Sequence, residues 1–419
     1  MENFITGYAG HEHEHRAQMA SVLGKEKAHD AALFASLGLN AIRIPFSYRH
    51  FIDDLDPDTF KPEGFKWLDR CVEICGRHDI YAIIDLHSAP GGQNQDWHCD
   101  SGISRASFWD FKDHQDRAIR LWEVIASRYA GNLVVAGYNP LNEPADPTLD
   151  DEGRPSARLL VWYARVEKAI RAVDAEHMLF LDGNTYSMDF TAFEGTLPLP
   201  NAVYSIHDYS KFRFPGMEQY VGTESQKQQL RASFERKVAF MRKVNVPVRN
   251  GEFGPVYQDP KRDGQLSIYR EESVGWSIWL YKDIGYQGMT HVSPDSAYLR
   301  LIQPFLEKKQ RLGLDFWSIT PRDAVKPIYD TFFAEIKSMV DEKFHKGRYP
   351  KQWTFERQFK RVIRDMLLSE YVGWEMAKLF RGKNEVELGE LAASFALENC
   401  VVRGELNEVL ERDALGGTA

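Results

Sequence analysis

The triplet Asn142-Glu143-Pro144 stands directly behind the apolar run Leu133-Val134-Val135-Ala136-Gly137. That run is short, rich in β-formers and bounded by Gly and Pro, so it reads as a buried strand that ends where Asn142 and Glu143 begin. The same grammar recurs downstream, where Val246-Pro247-Val248-Arg249-Asn250 leads into Gly251-Glu252-Phe253-Gly254. In a barrel of parallel strands this end of each strand faces the active site. Two carboxylates so placed fit cleavage of a glycosidic bond, which needs one proton donor and one nucleophile or base flanking the scissile oxygen.

The elements that must position these acids are legible as an alternation. Strands are expected at 39–45, 80–87, 133–138, 177–181, 202–207, 246–250 and 276–279. Helices fall between them at 63–77, 107–129, 156–173, 224–243 and 263–273, the first with Phe65, Leu68, Val72 and Ile74 or Cys75 on one face. Strands alternating with helices at this pace mean parallel βαβ units and an α/β fold, a (β/α)8 TIM barrel. Seven strands are visible. Before residue 39 there is a helix around 25–37, and 3–8 is a poor strand, so strand one is weak or missing and a seam is expected in the barrel. After residue 315 the alternation stops. Tyr329, Phe332, Phe333, Ile336 and Val340 share one helical face, 355–367 continues the theme, and a third amphipathic stretch runs over 385–397. The chain therefore divides into a barrel over 1–315 and a helical C-terminal extension over 316–419.

Composition narrows the function. The chain has 419 residues, with 61 acidic against 52 basic side chains and no concentrated basic stripe, which argues against a nucleic-acid partner. Cys71, Cys75, Cys99 and Cys400 are too scattered for a disulfide framework and are expected as free thiols. No apolar run reaches the length of a membrane span, and Met1-Glu2-Asn3-Phe4 does not open a secretory signal. The expectation is a cytoplasmic protein, or a secreted one if an upstream segment carrying strand one precedes it.

Lining up the strand ends adds residues to the two acids: Arg43, His87, Asn142 with Glu143, His207 with Tyr209, Glu252 and Trp279. This set, in this order, resembles glycoside hydrolase family 5, whose cellulases and exo-β-1,3-glucanases carry catalytic glutamates on barrel strands four and seven; the likeness covers about residues 38 to 315. The resemblance implies Glu143 as general acid/base, with a raised pKa, and Glu252 as a nucleophile steadied by Arg43 and the Tyr209 hydroxyl. It also implies Asn142 as donor to the sugar 2-hydroxyl, Trp279 as a platform for the pyranose ring, and His87 and His207 lining the cleavage point. Asp85, two residues before His87, shares its face and pairs with Arg43 or His87. The loop Ala89 to Asn94 with Trp97 and His98 suits an outer sugar subsite, as do Tyr281, Asp283 and Tyr286.

One motif competes. His11 and His13 have the His-x-His spacing of metal-dependent amidohydrolase barrels, but that reading leaves both glutamates without work. The reading is a retaining β-glycosidase acting on an oligo- or polysaccharide, a β-glucan or β-glucoside, with no cofactor and no metal. Its rival is a catalytically impaired, sugar-binding or scaffolding barrel, supported by the weak first strand.

Overall fold

In the computed structural model the described residues are 28–416, except 101–102, 104, 149–154, 211, 213–217, 219, 255–263, 285–287, 313–325 and 341–368. After a helix α1 (Ala28–Ser36) the chain enters β1 (Ala41–Ser47), then a small antiparallel hairpin of β2 (Ile52–Asp53) and β3 (Asp56–Phe60). Helix α2 (Pro62–Arg77) follows. Its first residue is proline, whose missing N–H costs nothing there, and Phe65, Leu68, Val72 and Cys75 recur at helical spacing as its buried face. Each such side chain removed from water contributes about 1.5–3 kcal/mol.

The barrel wall then builds in sequence order: β4 (Tyr81–Ser88), helix α3 (Lys112–Tyr129), β5 (Val135–Asn139), helix α4 (Arg158–Arg171), β6 (Met178–Asp182), β7 (Ala202–His207), helix α5 (Glu224–Val244), β8 (Val248–Phe253), helix α6 (Gln265–Glu271) and β9 (Gly275–Ile278). These form one seven-stranded sheet in the order β1-β4-β5-β6-β7-β8-β9, every pair parallel. The expected (β/α)8-type wall is thus present, with β1 and β9 unpaired to one another among the described residues. The N-terminal stretch that would hold strand one lies outside them.

Strand approach dictates one glycine. A Cβ at Gly137 would lie 2.1 Å from the Met178 carbonyl oxygen, so the β5–β6 pair closes only over a bare backbone. Trp122, Trp162, Tyr138, Tyr163 and Tyr204 are fully buried between wall and helices.

Beyond the barrel, β10 (Lys282–Asp283) pairs with β11 (Thr290–Val292), and β11 pairs antiparallel with β12 (Cys400–Val402). Helix α7 (Ala297–Leu312) lies between them in the chain, followed by α8 (Lys326–Met339), α9 (Ser369–Lys378), α10 (Glu385–Ala393) and α11 (Gly404–Ala414). Tyr298 and Ile302 of α7 pack with Met376, Phe380, Leu388 and Leu391 in a second core. Leu406, Val409 and Leu410 of α11 belong to the main core, and Asp413 accepts hydrogen bonds from Trp276 Nε1 of β9 (2.7 Å) and Arg270 Nε (3.0 Å). The extension after residue 315 therefore contains a strand as well as helices, and it is fastened to the barrel. All four cysteines are free thiols. No helix among the described residues is long and apolar enough to cross a membrane.

Candidate active site

Arg43 organises the floor. It does not close its strand as the sequence reading placed it; β1 continues to Ser47, and Arg43 sits mid-strand, opposite Ile83 of β4. Its Nη1 donates to Glu252 Oε1 (2.7 Å), and its Nη2 reaches Asn142 Oδ1 (2.6 Å), Asn139 Oδ1 (2.8 Å) and the Asp85 carboxylate (3.1 Å). Burial alone would lower its pKa, but Asp85 and Glu252 reverse that, so the guanidinium stays charged. Asp85 in turn holds His87 Nδ1 at 2.9 Å, which raises the pKa of a ring that burial would lower. Asp85 therefore orients both Arg43 and His87.

The two acids converge above this floor. Glu143 follows β5, Glu252 lies within β8, and an oxygen of each falls, with a nitrogen of His207, inside a set of atoms all within 4.8 Å of one another. The register shifts at Ile206/His207, a bulge that sets Glu252 opposite His207 across the β7–β8 pair. His207 is fully buried, with Nδ1 at 2.7 Å from Glu143 Oε1 and 3.5 Å from Glu252 Oε2. Glu252 also accepts from the Tyr209 hydroxyl (2.8 Å). Burial pushes the Glu252 carboxyl up; His207 and Arg43 outweigh it, so it is held below the ordinary range despite the repulsion of Glu143.

Glu143 has a backbone of its own kind, at φ +45°, left-handed for a side-chain-bearing residue. The surroundings fix it there: its N–H donates to Asp182 Oδ2 (2.9 Å) and its carbonyl accepts from Asn94 Nδ2 (2.9 Å). Its carboxyl meets His207 through Oε1 and His98 Nε2 through Oε2, at 3.0 Å. Burial raises this carboxyl; a hydrogen bond donated by His207 lowers it, as one from His98 would if that ring donated, and with both donating the carboxyl lies below the ordinary range. In that protonation state the raised value expected of a proton-holding acid is not met.

The remaining sequence candidates surround the pair. Trp279 lies just past β9, half-buried, stacked on His87 with ring centres 5.1 Å apart and planes 3° from parallel. The amide nitrogen of Asn142 is buried without a partner while its oxygen binds Arg43, so the donor is left for something outside the protein. The structure thus brings together Arg43, His87, Asn142, Glu143, His207, Tyr209, Glu252 and Trp279. The side chain of Trp97, and His11, His13 and Tyr286, lie outside the described residues. The loop after β4 differs from its reading as an outer subsite. Gln93 and Asn94 are fully buried, and Gln93 Nε2 bridges the carbonyls of His87 (2.7 Å) and Asn142 (2.9 Å). Its polarity serves orphan backbone groups. Tyr281 packs against Phe34 with ring centres 4.7 Å apart, and Asp283 accepts from the Gly288 N–H (3.3 Å).

Sequence reasoning passed over Asn139 and Asp182. Asn139 joins Arg43 to β6 by donating to the Phe180 carbonyl (2.8 Å), and Asp182 receives the Glu143 N–H. Asp182 ends β6, so the strand-end rule that found the others would have found it. Glu143, His207 and Glu252 are the one metal-like grouping of His, Cys, Asp and Glu among the described residues. Their donor atoms already serve one another, and Glu252 is bound by Arg43 and Tyr209 as well. This is a poor cradle for a further cation.

Comparison with known proteins identifies the family. Residues 5–285 match the family model "Cellulase (glycosyl hydrolase family 5)". A "Beta-xylosidase" of Phanerodontia chrysosporium is 47% identical over 99% of this chain and 92% of that protein. A "Glucan 1,3-beta-glucosidase" of Candida oleophila is 39% identical over 30% of this chain and 29% of its own length. The crystal structure of a glycoside hydrolase superposes with TM-score 0.51 at 22% identity, covering 62% of this chain and 84% of that one, a likeness of fold. With the family model spanning most of the barrel and a relative aligned over nearly the whole chain, the protein belongs to glycosyl hydrolase family 5 and is a glycoside hydrolase.

Proposed function

We propose that the protein is a retaining β-glycosidase, with Glu252 as nucleophile and Glu143 as acid/base. The single observation that carries this reading is the closeness of the two carboxylates, an oxygen of each within 4.8 Å. A retaining pair stands about 5–5.5 Å apart, whereas an inverting pair leaves roughly 6.5–9.5 Å for a water. In the first step the Glu252 oxygen bonds to the anomeric carbon as its bond to the leaving oxygen breaks, and Glu143 gives that oxygen a proton. In the second, water attacks the anomeric carbon, its proton returns to Glu143, and Glu252 departs as carboxylate.

Two features support the roles. Glu252 is held ionised by Arg43 and Tyr209, as a nucleophile must be. The unpartnered amide of Asn142 is placed to donate to a sugar hydroxyl, a bond that strengthens as the ring becomes oxocarbenium-like. The substrate we propose is a β-xyloside, on the strength of the relative called a beta-xylosidase. A β-glucoside is the second reading, favoured by the glucan 1,3-beta-glucosidase match. Proton NMR of the first-formed sugar tests the mechanism: the β-anomer is expected, and the α-anomer as first product overturns it. Mass spectrometry after a 2-deoxy-2-fluoro-β-xyloside should show one added glycosyl group in wild type and none in Glu252→Gln. Relative kcat/KM on aryl β-xylosides and β-glucosides decides the sugar.

A further inference from the structure

The loop that follows β4 brings a second histidine onto the carboxyl of Glu143, and the assigned roles leave it without work. We propose that His98 is a positioning residue of the acid/base: its Nε2 receives the acidic proton of Glu143 as a hydrogen bond and keeps it on Oε2, the oxygen turned toward the leaving group. The inference rests on Glu143 being the acid/base.

The hydrogen-bond network around Asn94 carries the argument. Asn94 Oδ1 accepts the N–H of Asp96 (2.8 Å), and Asn94 Nδ2 donates to the Glu143 carbonyl (2.9 Å), so the orientation of this amide is fixed from both ends. The same Nδ2 lies 3.0 Å from His98 Nε2. An amide NH2 can only donate, so Nε2 must present its lone pair and the ring hydrogen resides on Nδ1. Nδ1 faces the Asp96 carboxylate at 3.9 Å, which favours a hydrogen on that side. A bare Nε2 at 3.0 Å from Glu143 Oε2 is repulsive unless Oε2 carries a proton, which then shares the single ring lone pair with the Asn94 amide hydrogen. The other oxygen is already taken by His207 Nδ1 at 2.7 Å, on a ring with no exposure. Oε2 is therefore the oxygen that carries the acidic proton.

Position agrees. The His98 side chain is 20% exposed and that of Glu143 11%, so His98 sits on the open side of the acid, where a departing group must lie. Also facing it are the rings of His87 (5.9 Å) and Tyr186 (6.1 Å); Glu143 is faced by His207, Glu252 and, through its backbone N–H, Asp182. His98 gains and loses no proton in the cycle. It accepts a hydrogen bond from Oε2–H, yields to the glycosidic oxygen as that oxygen takes the proton, and receives the hydrogen bond again once water has reprotonated Glu143.

The test compares His98→Leu, which cannot accept, with His98→Gln, whose side-chain carbonyl can. Each is assayed on phenyl and 2,4-dinitrophenyl β-xylosides, or the matching glucosides if the sugar panel selects them. The dinitrophenolate leaves without a proton. His98→Leu should lose about tenfold or more in kcat/KM on the phenyl glycoside and under about twofold on the dinitrophenyl one, with the basic limb of its pH profile moving down by about one unit. His98→Gln should restore both. Retained turnover of the dinitrophenyl substrate also shows that the variant is folded. Equal losses on both substrates with an unmoved limb, or a limb that moves up, overturn the proposal. Nitrogen-15 NMR of the wild-type histidines reads the tautomer without any variant: bare Nε2 on His98 is expected, and hydrogen on Nε2 overturns it. Glu143→Gln is the separate control: if it keeps full activity on the phenyl glycoside, the acid/base assignment fails, not only the role of His98.

Discussion

Replacing Arg43 by Met removes one cation from beneath two carboxylates while keeping the length of the side chain. In the native site the guanidinium lies 2.7 Å from Glu252 and 3.1 Å from Asp85, with all three side chains at most 6% exposed. Breaking a buried pair from one side costs about 3–5 kcal/mol, because the charge left behind has neither water nor partner. Glu252 will instead take up a proton more readily. At about 1.4 kcal/mol per pKa unit, half of that cost lifts its carboxyl by roughly one to two units. The sign follows from the native shift. Glu252 is held below its unfolded value, so it contributes stability above that value and loses it as pH falls through the folded pKa. In Arg43→Met the depression shrinks, because His207 remains but Arg43 is gone, so the variant gains relative stability toward acid and is most impaired near neutrality. The acid limb of kcat/KM, set by Glu252, should move up by about one unit or more, and the melting temperature near pH 7 should fall by roughly 5–10 °C. Glycosidase pH profiles and thermal unfolding at several pH values provide both readings. An unmoved acid limb in a folded variant refutes the claim that Arg43 keeps the nucleophile ionised.

Other substitutions probe separate links. Asn142→Ala should lower kcat/KM by about 2–4 kcal/mol of transition-state binding on a normal glycoside, and the deficit should disappear with a 2-deoxy glycoside; a deficit independent of the 2-hydroxyl refutes the assigned contact. Gly251→Ala places a Cβ 2.4 Å from Ser205 Oγ and 2.9 Å from His207 Nε2. The imidazole must move, and kcat should fall about 10- to 100-fold with the loss of its bond to Glu143, measured under saturating substrate. Tyr209→Phe removes one donor to Glu252, so the acid limb should rise by less than in Arg43→Met. Leu410→Ala, in the core shared by barrel and C-terminal helix, should cost about 2–5 kcal/mol in chemical denaturation and leave both pH limbs in place.

The alternation of apolar runs placed all seven wall strands within about two or three residues of their observed bounds, because buried parallel strands are marked by composition alone. Arg43 was found but misplaced, since the strand carries on through Pro45 to Ser47. The hairpin of β2 and β3 escaped notice: Asp53-Asp54-Leu55-Asp56-Pro57 is so polar that only its backbone pairing reveals it. Helix α7 was missed as well, with Pro304 inside it and an apolar face whose partners come from residues 376–391. The site was legible where a residue type is scarce at a strand end, as with Glu143, Glu252 and His207. It was not legible where polarity does internal work. Gln93 and Asn94 have the composition of a solvent-facing loop, yet their amides bond carbonyls that the strand ends leave open. Sequence alone does not separate a side chain that seeks water from one that replaces it.

Trp276, whose indole is held by Asp413, stands three residues before Trp279 on the same run of chain. The last helix thus grips the wall close to the aromatic that covers His87. Shortened forms that end ahead of residue 400 would forfeit the third member of the β10–β11–β12 ribbon together with this clasp. Residues 400–414 are accordingly a poor place for trimming in expression work, and a proteolytic nick there should cost turnover as well as lifetime.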